Sequence, residues 1–254
     1  MIAFVREVSP QLARCELSLI ERVPVDAARA HRQHQRYAAE LRALGCELQW
    51  LPPLPAHADG VFVEDTAVLV PELAVITRPG VASRRGEVES VAASLTRHLP
   101  VTRLSEPATL EGGDVLRIGH SLYVGISGRS NAAGVAQLGA ALAPLGYSVR
   151  AVPLSGCLHL KSACTFIPPE VLLVNPAWVD PQLFAATAPL AVDADEPYAA
   201  NTLTVGGVTL VSSAYPRTQQ RLEQAGIATR ALEVDELHKA EAALTCMSIM
   251  LAGP

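Results

Sequence analysis

The feature that most constrains this chain is a phrase that returns along its length. A polar residue opens a short apolar strand, a turn and a second strand follow, and then comes a helix or its first turn. The phrase stands at Asp65 in EDTAVLVPELAVITRPG, Asp114 in GDVLRIGHSLYVGISGRS, Ser162 in KSACTFIPPEVLLVNPAWV and Asn201 in NTLTVGGVTLVSSAYPRT, and it opens once more at Cys246 in CMSIMLAGP. Successive instances lie 39 to 49 residues apart, the spacing of a repeated structural unit. Pro71-Glu72, Gly119-His120, Pro168-Pro169 and Gly206-Gly207 divide the strand pairs as hairpin turns. The last unit lacks its second strand, and the chain begins with an orphan strand, MIAFVREVS. Joining the two closes a ring and removes the sheet edges that would otherwise invite aggregation.

The segments between strand pairs carry helix signals. Asp26 precedes AARAHRQHQRYAAELRAL and Gly45 ends it, while Val88, Val91, Ala92 and Leu95 make one apolar face before Pro100. Further helices are expected over 131–144, 181–188, 216–225 and 235–243. The expected fold is α/β: a five-bladed pseudo-symmetric α/β propeller closed by the N-terminal strand, with residues 1–254 as a single domain. Strand starts face a central channel, so Asp65, Asp114, Ser162, Asn201 and Cys246 converge on one axial site.

Composition narrows the function. Half the residues are apolar and 18% are charged, so most strands should be covered on both faces. A net charge of −5, with no basic cluster larger than Arg84-Arg85, excludes a nucleic-acid partner and suits a cationic small substrate. The first five residues are apolar before Arg6, too short a run for a signal peptide or a membrane span, and a cytoplasmic protein is expected. The five cysteines form no CxxC pair and are odd in number, which points to reduced thiols. Cys157 and His159 are close in sequence but lack further ligands nearby, so no metal is expected.

Cys246 has two readings: an inert buried thiol, or a nucleophile poised among the polar groups of the axial site. The residues that nucleophilic chemistry needs lie beside the other strand starts: Glu64 and Asp65 in DGVFVEDT, Glu111 in LEGGD and His159 in CLHLKS. A thiolate needs a proton-transfer partner, and histidine titrates in the right range. A carboxylate such as Glu111 fixes the imidazole tautomer and stabilises its cation. Paired carboxylates suit a guanidinium, a planar cation with a fixed fan of donors. Singly each signal is weak, since Glu-Gly-Gly-Asp is often only a turn and a lone histidine is often structural.

In this order the phrases DGVFVED, ITRPGVASRRGE, LEGGDV, GRSN, LHLKS, YAAN and LTCMS resemble the dimethylarginine dimethylaminohydrolases of the guanidino-group-modifying enzymes, over essentially the whole chain. The resemblance implies the five-bladed propeller and hydrolysis of methylated arginines to citrulline and a methylamine, with no cofactor. It makes Cys246 the nucleophile, His159 the general acid and base, and Glu111 its orienting partner. Glu64 and Asp65 would grip the guanidinium against Phe62, Asp59 would take the α-amino group, and Arg84 and Arg129 the α-carboxylate. Leu17 and Thr245 complete the implied contacts, and Ser162 and Asn201 would support the site by hydrogen bonds. The carboxylates should raise the thiol pKa in the empty site, and a bound cation should lower it again.

Plainer readings stand beside these roles: surface arginines for Arg84 and Arg129, a core residue for Phe62, a turn former for Asp59. The expected partner is a small molecule, with neither nucleic acid nor membrane, and the expected assembly is a monomer or homodimer. The rival functions are an arginine deiminase-like enzyme that releases ammonia and a non-catalytic binding protein on the same fold.

Overall fold

A computed structural model describes residues 1–185 and 187–252. The N-terminal β1 (Ile2–Val5) leads through α1 (Ala27–Ala43) to β2 (Glu47–Trp50), parallel to β1. Asp26 caps α1 by accepting the amide of Arg29 at 2.9 Å, and Gly45, at a φ of 91°, turns the chain out of the helix.

The repeated unit then appears in full. The hairpin of β3 (Ala67–Val70) and β4 (Leu73–Ile76) is followed by α2 (Val88–Leu95) and by β5 (Val101–Arg103), which returns parallel to β4. The next unit repeats the pattern with β6 (Val115–Ile118), β7 (Ser121–Ile126), α3 (Ala132–Leu142) and β8 (Ser148–Pro153). A single turn, α4 (Leu160–Ala163), leads into β9 (Cys164–Ile167), β10 (Val171–Val174) and β11 (Ala188–Ala191). The fourth unit holds β12 (Leu203–Val205), β13 (Val208–Ser212), α5 (Pro216–Gln224) and β14 (Thr229–Leu232). After α6 (Asp235–His238), β15 (Ile249–Leu251) runs antiparallel to β1, with Phe4 opposite Ile249.

The described residues thus form five three-stranded mixed sheets, and in each the second strand of the unit is central. In the order β15-β1-β2 the N-terminal strand fills the vacant central place, and the ring closes as its missing strand requires.

Two expected helices are corrected. Over 181–188 there is only a turn, Pro181–Leu183, capped by Asp180, and Ala188 already belongs to a strand; Ala186 lies outside the described residues. Pro189 drives the preceding residue into extended backbone, which rules out a helix end there. Over 235–243 the helix stops at His238, because Glu241 takes a left-handed φ of 55° that no helix accepts.

The closing strand is buried on both faces, as the sparse charge predicts. Ala3 and Val5 pack with Tyr37 and Leu41 of α1, while Phe4 packs on the other side with Val91 and Leu95 of α2 and with Ile249 and Leu251. Phe4 is fully buried. Phe4→Ala should therefore lower the unfolding free energy in a denaturant titration by about 3–5 kcal/mol, the usual cost of emptying a large aromatic site. A loss below about 1 kcal/mol would show that ring closure does not depend on this contact.

Candidate active site

Three turns meet at the axis, and two glycines let them approach. The turn Val63–Thr66 brings in Glu64 and Asp65, and Gly112–Asp114 follows Glu111. A Cβ on Gly112 would lie 2.0 Å from the carbonyl oxygen of Glu64, and one on Gly113 would lie 2.6 Å from His159 Nδ1 and 2.8 Å from Asp65 Oδ1. Any side chain at either position would wedge the turns apart. The Gly113 amide instead donates to Asp65 Oδ1 at 3.0 Å. Asp114 turns away from the cavity: it accepts the Leu160 amide at 3.0 Å and the Ser127 hydroxyl at 2.6 Å, fixing the backbone just after His159.

Cys246 lies in the turn Thr245–Met247 before β15. The other four cysteines are buried; Cys246 is half-buried and opens onto a small cavity of about 20 Å³. Phe62, Asp59, Asp65, Arg84, Arg129 and His159 line the same cavity. His159 Nε2 stands 2.9 Å from Glu111 Oε2, its Nδ1 is 3.9 Å from Asp65 Oδ1, and Glu111 Oε1 accepts the Gly80 amide at 3.0 Å. The sequence-derived Cys246, His159 and Glu111 are therefore assembled at one place. Phe62 proves to be both core and pocket wall, packed in a buried apolar cluster while facing the cavity.

The two arginines are not surface residues. Arg84 is 3% exposed and contacts Asp65 at 2.7 Å, Glu87 at 3.0 Å and Glu111 at 3.8 Å. Arg129 reaches Glu111 at 3.4 Å and donates to the Ser18 hydroxyl at 3.1 Å. Asp59 is no mere turn former either: it is buried and accepts the Glu16 amide at 3.1 Å.

Other expected contacts are not brought to this cavity. Both Glu64 oxygens are occupied, one by Lys161 Nζ at 2.6 Å and the other by the Thr245 hydroxyl at 2.6 Å, and Glu64, Lys161 and Thr245 line a separate cavity of about 310 Å³. Lys161 and Thr245 thus engage both Glu64 oxygens, and of the carboxylate pair only Asp65 lines the cavity with Cys246, while the charge of Glu64 is still felt at the thiol. Leu17 packs half-buried against the apolar core, and its neighbours Glu16 and Ser18 are the residues that touch the site. Asn201 does act as a brace: it accepts the Thr245 amide at 3.0 Å and donates to the Lys161 carbonyl at 3.1 Å. The Ser162 side chain instead borders an apolar cavity of about 240 Å³ on the other flank of Cys246.

Sequence reasoning missed Glu87, Lys161 and Glu241. The first stands three residues after Arg84 in a helical turn, a spacing that favours pairing, and the second lies inside the HLK phrase that was read for its histidine.

The electrostatics follow from burial among these charges. Burial, with Glu64 and Asp65 adding to it, pushes the Cys246 thiol up to about 12. Burial pulls the His159 imidazolium down, but Asp65, Asp114 and Glu111 overcome it and lift the group to about 9. Burial opposes ionisation of Glu111, yet His159 and the two arginines hold it well below the usual carboxylate range. Burial raises Asp59 to about 6 against the pull of Arg84. At neutral pH the empty site therefore holds a neutral thiol, a cationic imidazole and ionised Glu111 and Asp59.

Asp65, Glu111 and His159 each bring one ligand atom within 4.8 Å of the others. The same groups already face Arg84 and Arg129, and His159 carries a proton, so a metal ion would meet three cations. The donor set suits protons and guanidinium groups instead.

A thiol held near 12 ionises late. Alkylation of Cys246 by iodoacetamide in the free protein should accelerate about tenfold per pH unit from 7 to 9 without levelling, since only the thiolate reacts. Mass-spectrometric rates at Cys246 check this, and a plateau near neutral pH would mean a preformed thiolate.

No protein-family model matches the chain. It is 40% identical to the N(G),N(G)-dimethylarginine dimethylaminohydrolase of Streptomyces coelicolor, over 98% of this chain and 96% of that protein. Among solved structures, a cysteine-to-serine mutant of dimethylarginine dimethylaminohydrolase from Pseudomonas aeruginosa complexed with citrulline superposes with a TM-score of 0.93, at 31% identity, over 97% of both chains. A dimethylarginine dimethylaminohydrolase adduct with S-methyl-L-thiocitrulline gives the same TM-score and identity, over 97% of this chain and 98% of that one. With 40% identity along nearly the whole of both chains and a fold that superposes throughout, the chain belongs to the dimethylarginine dimethylaminohydrolase family.

Proposed function

We propose that this protein hydrolyses Nω-methylated arginine to citrulline and methylamine or dimethylamine through a covalent thiouronium on Cys246. The observation that supports the reading is the shared cavity: one accessible thiol, His159 with its Glu111 partner, and acidic and basic side chains of the kinds that pair with the two ends of an amino acid. The citrulline complex and the thiocitrulline adduct of the relatives have the product and covalent chemistry this reaction requires.

Substrate completes the electrostatics. Its guanidinium settles on Asp65 and Phe62, its ammonium on Asp59, and its carboxylate on Arg129 with Arg84 behind. A cation beside the sulfur offsets the burial and the carboxylate field that together keep Cys246 protonated, and the thiol proton leaves to solvent. The thiolate adds to the guanidinium carbon, which is resonance-stabilised and reacts only with a nucleophile held in line. Cationic His159 gives its proton to the departing amine as the C–N bond breaks. The neutral imidazole then takes a proton from water, the hydroxide adds to the same carbon, and the C–S bond breaks to release citrulline. Glu111 keeps the imidazole oriented and favours its charged form throughout.

Dimethylarginine, monomethylarginine and arginine assayed side by side test the reading. Methylated substrates should turn over to citrulline, Cys246→Ser should abolish it, and His159→Asn should slow it by roughly 10²–10⁴-fold, the worth of a general acid and base. Preferential use of arginine with ammonia release would favour a deiminase, and no citrulline from any of them would favour a binding protein.

A further inference from the structure

The rim of the site is a strip, residues 15–26, with neither helix nor strand. Its residues nevertheless hold fixed places. Ser18 covers Arg129, Glu16 covers Asp59, and Leu19 and Ile20 wall the apolar cavity that reaches Cys246 from the other flank. Cys15, Leu17 and Val25 tie the strip to the apolar core, but Ser18 and Leu19 between them are exposed, Leu19 at 53%, so apolar packing does little to hold that middle stretch.

The holding group is Glu241. One carboxylate oxygen accepts the Ser18 amide at 2.7 Å, and the other accepts the amides of Leu19 at 2.5 Å and Ile20 at 2.9 Å. Consecutive amides converging on one anion make a charge-assisted cradle. Glu241 is also the one non-glycine residue with a left-handed φ among the described residues, and that backbone cuts short the helix expected over 235–243. Glutamate gains nothing from this conformation, where glycine or asparagine would be at ease. It borders both cavities beside Cys246 and lies five residues before it.

We infer that Glu241 is a positioning residue that clasps the backbone of residues 18–20 over the site, and so controls access to Cys246 and the retention of bound substrate. Turnover readouts of this inference rest on the proposed function. Exchange and labelling do not.

The variant E241G separates clasp from backbone, because glycine adopts the local φ freely while the carboxylate is lost. Hydrogen exchange at the Ser18, Leu19 and Ile20 amides, followed by NMR, should quicken by about tenfold or more while β1 keeps its protection. Iodoacetamide should reach Cys246 several-fold faster, and KM for monomethylarginine should rise about tenfold with kcat changed about twofold or less. E241Q keeps the length and one acceptor oxygen without the charge, and its exchange rates should fall between those of the wild type and E241G. If E241G loses β1 protection, and so its fold, E241Q carries the test by itself. Wild-type exchange at residues 18–20 in a folded variant would overturn the clasp. A wild-type protein inactive on every methylated arginine would overturn the proposed function while the exchange measurement still judged Glu241.

Discussion

Arg84 lies between Asp65, Glu87 and Glu111, and this buried contact is what allows turns from different units to share one axis. Buried carboxylates without a cation are expelled or protonated. Arg84 and Arg129 compensate those on the thiol side, and Lys161 does the same for Glu64 on the other. The compensation is incomplete. Asp59, Glu64, Asp65, Glu87, Glu111 and Asp114 outnumber the buried cations around them, and the excess raises His159 and adds to the burial that raises Cys246. A cationic substrate supplies the missing charge, so the imbalance serves binding and thiol activation together.

The same contacts divide the axis in two. The Glu64–Lys161 pair and the Thr245 hydroxyl close the floor, leaving a separate cavity beyond it that does not reach Cys246. On the open side the site is bounded by a strip whose own sequence gives it no regular structure. Turns thus fix Cys246, His159 and Glu111, while on the proposed reading a clasped loop governs the approach, a division suited to a scaffold that must admit and release an amino acid.

Much of this was legible in the residues. The recurrence of strand, turn and strand determined the units, and the unpaired strands at the two ends determined how the ring closes, because register and edge protection leave few alternatives. Cys246, His159 and Glu111 were legible because each sits at or beside a strand start, where the unit geometry fixes direction. The partners of Glu64 were not legible, because adjacent side chains in a tight turn point to different sides and sequence adjacency to Asp65 says nothing of Lys161, 97 residues away. Arg84 was seen as a ligand contact, and its deeper tie to Glu87 required knowing that Ala82–Glu87 folds as a turn. Leu17 and Glu241 were opaque for a related reason: an irregular strip has no periodicity to read, and its placement depends on a carboxylate more than 220 residues distant.

The charge state of His159 in the empty site decides how the site binds and reacts, and NMR titration of its ring nitrogens in the free protein measures it directly. With Asp65, Asp114 and Glu111 around it, the imidazole should carry both protons at pH 7.5 and lose one only near pH 9. Glu111→Gln should lower that midpoint. A ring that is already neutral at pH 7.5, titrating at or below about 6.5, the value of an unperturbed histidine, would contradict the excess of negative charge from which substrate binding, thiol activation and proton delivery have all been derived.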